Sequence, residues 1–193
     1  MAKKLNNLSK ELKAKHKELD SIKFYTSDSE DEKREKREIQ LSICNDILKD
    51  YPNDLKTITL KADILWILEY DDECIEFVDE SLKKYQNNYR LMSSKAYALL
   101  FKNDYNPKNC ENALKIVDES FKIIEKNTKK NSKEALEVIK GLMMIKTSSL
   151  NRLERYQECI DYCNKMLKIY PHEPILLKNK KTAQESLLKE ELN

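Results

Sequence analysis

Three short phrases recur where apolar helical patterns run out: Lys49-Asp50-Tyr51-Pro52-Asn53-Asp54, Lys83-Lys84-Tyr85-Gln86-Asn87-Asn88 and Lys168-Ile169-Tyr170-Pro171-His172-Glu173. Tyr51 and Tyr85 stand 34 residues apart, and Leu41 to Leu48 echoes Ile75 to Leu82 at the same period and again Ile160 to Leu167. Leu48, Leu82, Phe121 and Leu167 are separated by 34, 39 and 46 residues, and Gln40, Cys74, Ala113 and Cys159 by the same intervals. A period in this range constrains the fold more than any total does. Each two-helix unit has an apolar face it cannot cover alone, so copies must stack into a shared core.

Composition agrees with an all-α chain. One Gly and four Pro among 193 residues are too few for a loop-rich β fold. The 36 Lys and Arg nearly cancel the 34 Asp and Glu, leaving +2, which disfavours a nucleic-acid partner, since such domains concentrate positive charge. Five cysteines without paired motifs fit a reducing compartment. No signal-like start and no run long enough to span a membrane is present, so the expected location is cytoplasmic, with the nucleus compatible.

Periodicity divides the chain into an amphipathic helix over 1–24, with its stripe at Leu5, Leu8, Leu12, Leu19 and Ile22, and an acidic loop over 25–35. Repeats follow over 36–173, then a capping helix over 174–193. The first repeat helix is expected to begin near Lys33 to Lys36 and end at Asp50. Leu55–Leu68 pairs with Asp72–Tyr85, and Arg90–Lys102 with Glu111–Lys126 across a long turn in which Cys110 is the expected exposed thiol. After a polar break at Asn127 to Asn131, an overlong Lys133–Arg152 pairs with Tyr156–Tyr170.

The stretch Lys61-Ala62-Asp63-Ile64-Leu65-Trp66-Ile67-Leu68-Glu69-Tyr70-Asp71-Asp72-Glu73-Cys74-Ile75, closing on Lys84-Tyr85-Gln86-Asn87-Asn88, resembles a tetratricopeptide repeat, and the likeness runs from about Gln40 to Glu173. Ile58 and Met92 replace the family's Trp, and Ala62 and Ala96 its glycine. The resemblance implies a right-handed α-α superhelix in which Ala62, Ala96 and Thr147 meet Cys74, Ala113 and Cys159 at close helix contacts. Leu65, Leu99 and Leu150 would form a continuous interior row. It also implies a concave groove lined by the first helix of each unit: Lys56, Asp63, Trp66 and Ile67, then Arg90, Tyr97 and Phe101, then Met144 and Arg152. The family's clamp for an acidic chain terminus is not expected, because Leu60 and Ser94 stand where it uses Asn and a basic residue.

Chemistry-bearing motifs are weak by comparison. Cys159 and Cys163 share a helix face without a second pair to complete a metal site, and neither His16 nor His172 begins a protease motif. The cluster Glu69, Asp71, Asp72 and Glu73 lacks a calcium loop's central glycine and reads as an acidic helix start. No cofactor, metal or catalytic residue is expected. Ser27 and Ser29 precede acidic residues and are candidate phosphorylation sites. The expected function is a non-catalytic scaffold or adaptor that holds a protein or peptide. The alternatives are a structural subunit of a larger assembly and an RNA-binding α-solenoid.

Overall fold

The computed structural model describes residues 2–126 and 132–192. The Asn127 to Asn131 break and the side chains of Leu5 and Leu8 lie outside the described residues. The described residues form nine α-helices and no strand: α1 Ala2–Ser21, α2 Glu30–Asp50, α3 Leu55–Ile67, α4 Asp71–Lys84, α5 Tyr89–Phe101, α6 Pro107–Lys126, α7 Lys133–Arg152, α8 Tyr156–Leu167 and α9 Pro174–Glu191. None of them is long and apolar enough to cross a membrane.

Short polar side chains set the helix starts. Asp54, Asn88 and Ser132 each accept a hydrogen bond from a backbone N–H in the first turn of α3, α5 and α7. Two starts lie earlier than the periodicity suggests. Ser29 and Glu32 form a reciprocal capping box, so α2 begins at Glu30 and the acidic segment is largely helical. The Asn106 side chain accepts from the Lys108 N–H, so α6 begins at Pro107. That extra turn carries Cys110 into the core, where it is 1% exposed. The expectation of an exposed thiol there is therefore wrong.

Packing follows the sequence neighbours. α3, α5, α7 and α9 touch in series, and α4, α6 and α8 each bridge the two helices that flank them in the chain. Ala62, Ala96, Thr147, Cys74, Ala113 and Cys159 are all fully buried, as close helix contacts demand. The apolar interior forms two clusters. Leu65 belongs to the one built on α1 to α5, whereas Leu99 and Leu150 belong to the one built on α5 to α9. The expected single row of the three leucines is thus split. The clusters meet at α5, which contributes to both, and at Ile75, which packs on both.

The N-terminal helix packs on its own chain. Leu19 is 2% exposed within the first cluster and Leu12 packs against it. Lys15 pairs with Asp50 at 2.7 Å, and His16 lies 2.8 Å from Asp54. Beyond α1, Phe24 stacks under the Arg37 guanidinium at 4.1 Å. At the other end α9 buries Leu176, Asn179 and Ala183 and leaves Leu177 and Leu188 in solvent.

Candidate partner-binding face

One structural rule is applied twice in the molecule, across α3, α4 and α5 and again across α7, α8 and α9. In the first copy, Ser94 Oγ donates to Asp63 at 2.7 Å, and the Cys74 thiol lies 3.5 Å from the Ala62 carbonyl and 3.8 Å from the Ser94 carbonyl. In the second, Asn179 Nδ2 lies 3.4 Å from Ser148 Oγ, and the Cys159 thiol is 3.6 Å from the Thr147 carbonyl and 3.9 Å from the Asn179 carbonyl. Each residue of the second set stands 85 positions after its counterpart. The intervening turns match as well. Glu69 and Glu154 both take a positive φ, and Tyr70 and Arg155 each donate a backbone bond, 2.9 Å long, to Leu65 and Leu150 respectively.

The chemistry set on that scaffold is not repeated. Asp63 accepts from Arg90 Nη2 at 2.8 Å and Nε at 3.2 Å. Trp66 stacks on Tyr97 with centroids 4.2 Å apart and rings 7° from parallel, and Tyr97 continues to Phe101 at 6.2 Å. The Arg152 guanidinium lies 5.6 Å over Phe101 and donates to the Leu100 carbonyl. Trp66 and Tyr97 are half-buried, while Ile67 and Phe101 are 39% and 42% exposed. Burial, followed by the charge of Asp63, pushes the Tyr97 hydroxyl up to about 12.

Asp63, Trp66, Ile67, Arg90 and Tyr97 therefore converge on one cavity of about 220 Å³. Phe101 and Arg152 extend the same face beyond it, and Met144 is half-buried on α7. Lys56 stands apart, 3.3 Å from Asp20 of α1. Ser29 is the N-cap of α2, and Ser27 is exposed in the turn before it.

Sequence reasoning missed one wall of the cavity, made by Glu134, Glu137, Val138 and Gly141 of α7. The signal was present in the overlong helix. α7 has 20 residues against 13 in α3 and α5, and the additional turns carry Glu134, Glu137 and Val138. Gly141 has a separate role. A Cβ there would sit 2.4 Å from Tyr97 Oη, so the chain's single glycine leaves the space that the ring fills.

A larger cavity, about 680 Å³, opens between α6, α7 and α8 and is lined by Phe121, Met166, Ile169 and Tyr170 among others. Tyr162 also lines it, with a buried hydroxyl that has no hydrogen-bond partner among the described residues. The cysteines are all buried. Burial pushes the Cys44 and Cys74 thiols up to about 12, which suppresses the reactive thiolate. In the acidic cluster, Asp72 pairs with Lys102 while Asp71 begins α4, 7% exposed, with burial raising its carboxyl above the usual range.

No protein-family model, curated protein sequence or solved structure matches the chain.

Proposed function

We propose that the chain is a short right-handed α-solenoid of tetratricopeptide-like hairpins, capped by α1 and α9, that acts as a non-catalytic scaffold or adaptor. A partner peptide or helix would lie along the α3–α5–α7 face. The observation that carries this reading is the aromatic ladder Trp66–Tyr97–Phe101, flanked by exposed Ile67 and by Arg152. Aromatic and Arg anchors dominate binding energy at protein interfaces. The 85-residue repetition of buried hydrogen bonds supports the stacked-hairpin part of the proposal. At about 220 Å³ the cavity is below the size usual for small-molecule sites and better suited to a side chain of a larger partner.

Affinity capture from native lysate, with wild type beside the Trp66→Ala/Tyr97→Ala double variant, tests this. The expected result is loss of captured partners at unchanged helix content by circular dichroism. Undiminished capture by the double variant would overturn the assignment of this face.

One observation favours a second reading, a structural subunit that docks through its other side. Ile169 is 62% exposed at the margin of the α6–α8 cavity, against apolar Phe121 and Met166. Substituting Ile169→Asp would then dissolve a larger assembly in solution while leaving the aromatic ladder intact.

A further inference from the structure

The cavity lined by Trp66 and Tyr97 of the aromatic ladder has a definite electrostatic sign. Its charged lining residues are Asp63, Arg90, Glu134 and Glu137, three carboxylates and one cation. The cation is already committed, since the Arg90 guanidinium is held on Asp63 by two hydrogen bonds. Glu134 and Glu137 take part in no ion pair among the described residues, and both are exposed at the mouth. They sit a turn apart on the part of α7 that α3 and α5 lack, so the extension that closes the cavity also supplies its charge. Lys133, beside Glu134, is exposed, whereas two other cations of α2 and α7 are engaged elsewhere. Lys140 reaches Glu173 at 3.3 Å, and Arg37 lies on Phe24 and donates to Gln40.

Below the two carboxylates the surface is aromatic and aliphatic: Trp66, Tyr97 and Val138. A long basic side chain suits this combination, because its methylene stem packs on apolar surface while its charged head stays with polar partners. A cation over aromatic rings is also attracted to their faces, and Trp is the strongest of these. A carboxylate or phosphate in the same place would meet two like charges, and the one cation of the lining is already held on Asp63.

We infer that the partner held on this face presents a Lys or Arg side chain to the cavity, its stem on Trp66 and Tyr97 and its charge between Glu134 and Glu137. The inference rests on the proposed binding role of the face, and its test separates the two. Trp66 is the only tryptophan in the chain, so its emission reports directly on the cavity. The probes are synthetic hexalysine and hexaglutamate, titrated into the full chain at low and at moderate salt.

Hexalysine should shift the Trp66 emission saturably, with an apparent affinity that falls as salt rises. Glu134→Gln/Glu137→Gln should weaken that response about tenfold. The control Glu76→Gln/Glu119→Gln, on exposed positions of α4 and α6, should leave it unchanged. No response to hexalysine would overturn the inference. So would an undiminished response from the Glu134→Gln/Glu137→Gln variant, which would place the peptide elsewhere. A response to hexaglutamate alone would overturn the basic partner yet support binding at this face. The binding role itself falls only if the Trp66→Ala/Tyr97→Ala variant retains its captured partners.

Discussion

Two regions of the molecule share a skeleton and differ in what they display. Around Asp63 and Ser94, and again around Ser148 and Asn179, a second-helix cysteine lies against the same two carbonyl positions and a polar side chain ties neighbouring first helices together. The first region adds to this an ion pair and a stacked ladder of aromatic rings. At the equivalent places the second has Asn151 for Trp66, Thr182 for Tyr97 and Ile175 for Arg90. It closes on polar contacts instead: Asn179 Nδ2 donates to Thr147 Oγ1 at 2.6 Å, and Asn151 Nδ2 to the Asn179 carbonyl at 3.2 Å. Repetition of the buried bonds preserves the stacking. Freedom at the surrounding positions lets one region display stacked aromatic rings and the other close on polar contacts.

The sharpest way to break the equivalence is at the core. Leu65 and Leu150 are 0% and 3% exposed, so Leu65→Ala and Leu150→Ala should each lose about 2–5 kcal/mol in urea unfolding, by loss of buried surface and creation of a cavity. If one costs far less than the other, the shared skeleton is not energetically shared.

The next effect concerns a difference between the regions. Gly141→Ala places a methyl group against Tyr97 Oη, and the overpacking cost of about 1–3 kcal/mol exceeds the gain of about 0.5–1 kcal/mol from replacing a helical glycine. Net destabilisation and a changed Trp66 emission are expected. Tyr97→Phe in the same chain should restore stability, because the atom that clashes is the hydroxyl. A double-mutant cycle measures that recovery.

The smallest effect lies at the N-terminal edge of the first region. Asp54 caps α3 through Thr57 and also meets His16 of α1. Burial alone would raise its carboxyl, but hydrogen bonds from the Thr57 side chain, His16 and the Thr57 backbone together lower it. A carboxyl lowered in the folded state stabilises the fold above its unfolded pKa, and that contribution is lost as pH falls through the lower folded value. Asp54→Ala should therefore cost about 0.5–2 kcal/mol at neutral pH and progressively less below about pH 4. A difference that persists undiminished in acid would assign the effect to shape instead of charge.

Much of the scaffold was legible in the sequence because stacking imposes a strict alternation of size. Ala62, Ala96 and Thr147 had to be small where helices touch, and the leucines that follow three residues later had to fill the space between units. Helix starts were read less well. Ser29 with Glu32, and Asn106, belong to polar stretches whose hydrogen bonding decides whether they begin a helix or precede it. Cys110 was misjudged for that reason, since one additional turn of α6 rotated it inward. At the candidate site, the ladder residues were visible as aromatic residues at positions that the family resemblance assigns to a groove. Glu134 and Glu137 were not, because nothing local to α7 says what its extra turns will lie against.

By itself the sequence determined that the chain is helical, where most helices pair, and which positions are crowded, because helical period and side-chain volume are properties of neighbours along the chain. Tertiary structure alone decided that α1 folds back on the α2–α3 core, that the interior divides at α5, and that Gly141 makes room for Tyr97. It also brought two glutamates of α7 to a cavity floored by a tryptophan of α3. Those arrangements join residues tens of positions apart, and their distances depend on how successive helices cross, which no local pattern records.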